Sequence, residues 1–264
     1  ASILGRVSAA LGGMMIFPLL LDLAAGDPNW RAFLMAGLVC LLTGGAVALA
    51  CANAAGRGLS LRQVFLITVL SWVAACLFGA LPFVLGAPGV GWTDAIVEAT
   101  SGLTTTGATV FVGLDHLPMG TNLWRGMLHW LGGLGIVIVA MLFLPVMKVG
   151  GMQFFRSEGF DTLGKVLPRA LDISAALVQI YVVITVACAV TFAALGMSGL
   201  EAVVHAMSAV STGGFSTTDQ SFAAFPGAPQ YAAILFMLLG SLPFIRFVQV
   251  WQGDWQPLWR DRQV

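Results

Sequence analysis

WTDAIVEATSGLTTTGAT, residues 92–109, returns about 107 residues later as GLEAVVHAMSAVSTGGFS, residues 199–216. In this alignment Asp94 meets Glu201, Ala95 meets Ala202, Val97 meets Val204 and Ala99 meets Ala206. The match then tightens: Ser101 meets Ser208, Thr104 meets Ser211, Thr105 meets Thr212 and Gly107 meets Gly214. Two apolar segments that resembled one another by chance would have no reason to agree best where the apolar residues give way to Thr, Ser and Gly. Each copy reads as a short amphipathic helix that runs into a Thr/Gly loop.

Around these copies the chain is strongly apolar. Hydrophobic residues make up 58% and charged residues 9%, against roughly 25% charged in soluble domains. Segments 3–24, 32–54, 64–85, 123–146, 173–195 and 231–251 approach or exceed the ~20 residues a helix needs to cross a ~30 Å hydrocarbon core. The expected fold is therefore an all-α integral membrane protein, with the lipid bilayer as its solvent. A leading helix hairpin (1–55) precedes a first pore-loop unit (56–150). A second unit with its preceding cytoplasmic connection (151–250) and a cytoplasmic tail (251–264) follow. The first apolar segment carries Arg6 and no small-residue cleavage site, so it is read as a retained helix rather than a removable signal.

Charge placement sets an expected orientation. Arg6, Arg57, Arg62, Lys148, Arg156, Lys165, Arg169, Arg246, Arg260 and Arg262 fall on one side, and Arg31 and Arg125 on the other. By the positive-inside rule both chain ends are cytoplasmic, and segments 86–122 and 196–230 face outward. Twelve basic residues balance twelve acidic ones, which offers no basic surface for nucleic acid. Cys40, Cys51, Cys76 and Cys188 sit in or at the ends of apolar segments without C-x-x-C spacing, and are read as buried thiols.

The repeated unit is thus a spanning helix, a half-inserted helix, a Thr/Gly loop and a second spanning helix. Irregular backbone at membrane depth is tolerated only where protein encloses it or it lines a water-filled cavity. A dehydrated monovalent cation needs oxygen ligands, and backbone carbonyls supply them without the desolvation penalty of a full charge. Thr104, Thr105, Thr106 and Gly107 in the first loop and Ser211, Thr212, Gly213 and Gly214 in the second are the candidate ligands for such a cation. The half-helices end at these loops, so their negative dipole ends point at the cation, while Asp94 and Glu201 suit the N-terminal turns. The plainer reading, an ordinary flexible outer loop, does not explain the recurrence in register.

Glu98 lies one turn beyond Asp94, and His205 takes its place in the second unit. A carboxylate at membrane depth is expensive without a partner, and Arg125 is available by topology. Glu98 then either holds the half-helix or adds cation attraction at the outer vestibule. Gly132, Gly133 and Gly135 lie in a spanning segment and are read as helix-packing residues. Trp92, Trp124 and Trp130 fit an aromatic belt, Trp130 being deep enough to pack instead. Asp22 is read as a boundary residue. His116 and His129 show no metal-binding spacing.

Residues 101–109 (SGLTTTGAT), 123–136 (LWRGMLHWLGGLGI), 149–158 (VGGMQFFRSE) and 211–217 (STGGFST) resemble the TrkH branch of the TrkH/KtrB/HKT superfamily of potassium transport proteins. The resemblance covers nearly the whole chain. It implies a transported potassium ion, no cofactor, an inner-membrane location and a cytosolic TrkA-type nucleotide-binding regulatory subunit near the basic connections. Gly107 and Gly214 occupy the family's filter-glycine places, where glycine rather than serine is associated with preference for potassium over sodium. Family members surround one path with four units and act as dimers of complete subunits. Two units are present here, so the expectation is a fragment or truncated product that needs a missing C-terminal half or a second copy. The rival expectations are a non-conducting half-transporter or regulatory subunit, and an intramembrane enzyme. The latter lacks support, because Gly240 and Ser241 form no nucleophile elbow and no histidine shares a site with them.

Overall fold

The computed structural model describes residues 1–52, 61–147 and 163–251. Arg57, Lys148, Arg156, Arg260, Arg262, the 149–158 motif, the 251–264 tail beyond its first residue, and the expected unit boundaries at 55/56 and 150/151 lie outside the described residues. The regular elements of the described residues are all helical: α1 (Ser2–Met14), α2 (Ile16–Ala25), α3 (Trp30–Ala50), α4 (Leu61–Leu85), α5 (Trp92–Leu103), α6 (Met119–Met147), α7 (Leu163–Ala194), α8 (Gly199–Val210), α9 (Ala228–Ser241) and α10 (Phe244–Trp251). Ser2–Ala25, Trp30–Ala50, Phe65–Leu85 and Ser174–Ala194 are each long and apolar enough to cross a membrane. Their outward faces carry Phe17, Leu42, Leu49, Val69 and Val190, all more than half exposed. An apolar exterior of this kind needs hydrocarbon around it.

The leading hairpin packs α1 against α3 backbone to backbone. A Cβ added at Gly44 would lie 2.6 Å from Ala9 N and Gly5 O, and one added at Gly5 would meet Gly44 O. In lipid, where apolar side chains have nothing to gain by leaving solvent, such close approach supplies the dispersion contact that holds two helices. At the turn between α2 and α3 the hairpin is fastened to the first unit by polar groups. Asp22 is fully buried, accepting from the Gly120 N–H at 2.5 Å and from Asn29 Nδ2 at 2.8 Å, while Asn29 Oδ1 accepts from Ala87 N–H. Asp22 is therefore an interior anchor and not the boundary residue its position suggests.

The two half-helices, α5 and α8, have 12 residues each, a rise of about 18 Å, which is little more than half the hydrocarbon thickness. In α8, Ser198 and Glu201 form a reciprocal capping box that satisfies two otherwise unpaired backbone N–H groups. In α5, Gly91 makes no side-chain cap, and Asp94 in the first turn is the acidic group placed to oppose the dipole.

Two further expectations change. The segment 231–251 is two helices, because Leu242 is extended (φ −69°, ψ 149°) ahead of Pro243; a residue before proline is driven out of the α region. The segment 3–24 stands as one candidate span: α1 and α2 meet at Met15, which keeps helical angles (φ −64°, ψ −9°) and is hydrogen-bonded to Leu11 O and Leu19 N–H. Trp124 is fully buried, donating its indole N–H to Gly79 O at 2.9 Å, and so is a packing residue rather than part of an interfacial belt. Cys40, Cys76 and Cys188 are buried as expected, and Cys51 is half-buried.

Replacing Gly44 by leucine should push α1 off α3 and lower stability by about 1–3 kcal/mol, seen as a lower unfolding temperature in detergent. Unchanged thermal stability would show that this backbone contact does not hold the hairpin.

Candidate functional site

The two repeated segments share their backbone geometry residue by residue. The half-helices start from matching extended residues, Gly91 (φ −63°, ψ 161°) and Ser198 (φ −62°, ψ 162°). They end at Thr104 (φ −84°) and Ser211 (φ −80°). Thr105 and Thr212 then both adopt φ 54°, and Gly107 (φ 78°) and Gly214 (φ 105°) are left-handed as well. Positive φ is uncommon for a β-branched residue and calls for a structure that enforces it. The enforcement is a repeated pair of backbone hydrogen bonds: Thr105 N–H to Gly102 O and Thr106 N–H to Ser101 O in the first unit, Thr212 N–H to Ala209 O and Gly213 N–H to Ser208 O in the second.

Side chains then differ between the loops. Thr104 Oγ1 lies 2.8 Å from both Thr100 O and Thr106 Oγ1, knitting the first loop to its helix. In the second, Ser211 Oγ donates to Ser208 O, and Ser208 Oγ accepts from Gly214 N–H at 2.9 Å. Ser101, which matches Ser208, has a buried hydroxyl with no partner among the described residues.

Behind the first loop lies an ion pair sealed from solvent. Arg125 Nε donates to Glu98 Oε1 at 2.8 Å, with both side chains fully buried. Glu98 also accepts from Thr109 Oγ1 and from Val110 N–H. Arg125 reaches further, into the second unit. It donates to Ser216 O at 2.7 Å, and its guanidinium lies 4.4 Å from the centre of the Phe215 ring. Asn122 Oδ1 takes another of its protons. His205, matching Glu98, has Nε2 2.9 Å from Ser216 Oγ, and Ser216 matches Thr109. Both units therefore tie the chain leaving the loop to the middle of the half-helix, one through a carboxylate and the other through an imidazole.

Further out, the segments leaving the two loops hold one another. Asp219 accepts from Gly113 and Leu114 N–H, and Asp115 accepts from Asp219 N–H. The Leu114 and Gly113 N–H groups favour the ionised carboxylate and hold Asp219 below the usual aspartate range. At the C-terminal ends of the half-helices, glycines let spanning helices make close contact. A Cβ at Gly132 would strike Leu103 O, and one at Gly240 would strike Val210 O. Leu103 and Val210 are the matching last residues of α5 and α8. Gly133 makes the same close approach to Ser211 and the Tyr181 hydroxyl, whereas Gly135 only meets Trp72 at ordinary contact distance.

Of the residues singled out in the sequence, Glu98 and Arg125 come together. Thr104, Thr105, Thr106 and Gly107 form one loop, and Ser211, Thr212, Gly213 and Gly214 the other. Asp94 and Glu201 stay at the half-helix starts. Among the described residues no group of three or more His, Cys, Asp or Glu side chains could hold a metal ion. Sequence reasoning gave no site role to Ser208, Ser216, Asp219 or His129, although it paired Ser208 with Ser101. Ser216 likewise sits opposite a hydroxyl, Thr109, and this recurrence of hydroxyls is the signal for both. With Gly132 matching Gly240, His129 falls opposite Met237, so periodicity does not reveal it.

Arg125→Leu should leave Glu98 charged and unpaired, costing about 3–5 kcal/mol. Thermal unfolding should show the Glu98→Leu/Arg125→Leu double variant losing less than the sum of the single variants; strict additivity would mean the pair is not coupled. Asp219 behaves in the opposite pH direction from a histidine switch. Its contribution is fully present above the ordinary value of 3.8 and is lost as pH falls through its lower folded value. Protection of the Gly113 and Leu114 amides against hydrogen exchange, relative to their intrinsic rates, should therefore fall only as pH drops through that range, and a loss of protection already near neutrality would contradict the assignment.

Comparison with known proteins gives a consistent picture. The TrkH family model, described as a cation transport protein, matches residues 30–252. The Trk system potassium uptake protein TrkI of Halomonas elongata is 41% identical over 254 residues, 95% of this chain and 51% of that relative. TrkH of Escherichia coli K12 is 38% identical over 265 residues, 98% of this chain and 54% of the relative. The crystal structure of the potassium transporter TrkH from Vibrio parahaemolyticus superposes with a TM-score of 0.86 at 34% identity, covering 98% of this chain and 53% of that one. The chain spans about half the length of the curated relatives it matches. With the family model matched over most of its length and the same helical architecture in a solved relative, the chain belongs to the TrkH family of cation transport proteins.

Proposed function

We propose that this chain forms two of the units lining a potassium path through the cell inner membrane, with the 104–107 and 211–214 loops supplying backbone carbonyls as the selectivity filter. The observation that carries the reading is the repeated anchoring of loop N–H groups back onto each half-helix. Across a trans peptide the carbonyl points opposite to the N–H, so the carbonyls of Thr104 and Thr105, and of Ser211 and Thr212, point away from their own half-helices. The helix ends add negative potential there. Potassium is then a transported substrate that follows its electrochemical gradient. No covalent chemistry and no cofactor belong to this reading. Glu98 and Arg125 support the first pore helix and brace the second loop, and Asp94 and Glu201 support the helix starts. The natural division is a leading hairpin (1–55), two pore-loop units (56–150 and 151–250) and a cytoplasmic tail (251–264). Both ends face the cytoplasm, where a TrkA-type nucleotide-binding subunit would meet the basic connections, in a dimer of complete subunits.

A second reading, a half-transporter that conducts only when completed, has an observation in its favour. In the second unit the half-helix and loop are covered by α6, with Val204 packed at Gly126 and Phe215 beneath Arg125. The matching residues of the first unit, Val97 and Ala108, are exposed, as is Thr104. That flank has the form of a surface that a further unit would cover, whether from a C-terminal half or from a second copy.

Rubidium uptake into liposomes tests both. The chain alone and an assembly completed with two further family units should be compared, each with Gly107→Ser and Gly214→Ser. Uptake that these substitutions shift toward sodium, by about tenfold or 1.4 kcal/mol in relative selectivity, supports the filter assignment. Uptake only in the completed assembly supports the half-transporter. Rubidium flux whose selectivity ignores both substitutions overturns the filter assignment.

A further inference from the structure

His129 lies on α6 and is fully buried, yet both its ring nitrogens are engaged across the boundary between the two units. Nδ1 is 2.9 Å from Gly102 O, next to the end of the first half-helix. Nε2 is 3.3 Å from the backbone N–H of Phe215, immediately after the second loop. A carbonyl can only accept and a peptide N–H can only donate. One form of the side chain meets both demands, the neutral imidazole with its proton on Nδ1 and a lone pair on Nε2. The ring also stacks on Phe215, with centroids 4.0 Å apart and planes 9° apart. Gly213 passes so close that a Cβ there would run into the imidazole.

The Phe215 N–H belongs to the peptide whose carbonyl is that of Gly214. Pinning this N–H to His129 therefore turns the Gly214 carbonyl to the opposite side. It completes a series of four: Thr212 N–H on Ala209 O, Gly213 N–H on Ser208 O, Gly214 N–H on Ser208 Oγ and Phe215 N–H on His129. The first three anchors come from the second unit's own half-helix, and the fourth is lent by the first unit. Left-handed glycine has little intrinsic preference for one peptide orientation, so Gly214 (φ 105°) is where an outside anchor matters most.

We propose that His129 is a positioning residue that aims the Gly214 carbonyl of the second loop and thereby sets its cation selectivity. This rests on the reading of the loops as a potassium filter. It makes the selectivity of one unit depend on a side chain of its neighbour.

The test uses the assembled transporter containing this chain, in liposomes, reading the ratio of rubidium to sodium uptake. If the parent protein shows no preference for rubidium, the filter reading fails irrespective of His129. Given a selective parent, His129→Phe keeps the stacked ring, removes both hydrogen bonds, and should lower the ratio about tenfold. His129→Gln, which restores an acceptor and a donor, should recover part of it. A backbone ester at Phe215 removes the N–H while leaving every side chain in place and should reproduce the loss, which keeps the proposal testable if the phenylalanine variant does not fold. Thr185→Val removes the acceptor of the Trp130 indole N–H elsewhere on the α6–α7 contact and should lower thermal stability with the ratio unchanged. A folded ester protein with the parent ratio overturns the proposal, as does a folded His129→Phe protein with that ratio.

Discussion

Backbone that leaves a helix inside hydrocarbon has no water to satisfy its peptide groups, and each unpaired one costs several kcal/mol. On the proposed reading, the loops after α5 and α8 are the two places where this chain meets that constraint. Their amides are bonded inward, to helix-end carbonyls, to Ser208 and to His129. On the proposed reading, donors bound on one side leave carbonyls on the other, a row of partial negative charge without any ionised group. The left-handed conformations of Thr105 and Thr212 are the local strain this arrangement carries.

Such strained turns persist only if something rigid stands behind them, and α6 is that support. It touches the first half-helix through Gly132 and the second loop through Gly133, His129 and Arg125. The buried ion pair belongs to the same support. Its net contribution to stability is small because two charges have been desolvated. Its geometric value is larger, since a guanidinium presents several donors in a fixed plane and here fixes Glu98, Thr109 and Ser216 at once.

Much of this was legible in the sequence because two separate signals coincide. Apolar length marked the spanning helices, and the in-register return of Ser, Thr and Gly marked the loops. The Glu98–Arg125 pair was legible because a carboxylate at membrane depth demands a partner and few cations are available. What stayed hidden depends on facts that composition does not encode. Apolar residues flank Pro243 on both sides, so hydropathy runs unbroken across a break in the helix. Trp124 has the composition of a belt residue, and only the approach of Gly79 O makes it an interior one. His129 works through a tautomer and two backbone groups contributed by different units, neither of which leaves a trace in spacing.

The anchor at Asp22 joins near and distant parts of the chain. Asn29, seven residues on, binds one carboxylate oxygen, and the N–H that binds the other is that of Gly120, 98 residues later. In the folded chain one carboxylate therefore ties the hairpin turn to the start of α6, so the seat of the N-terminal hairpin is shared between a neighbour seven residues away and one 98 residues away.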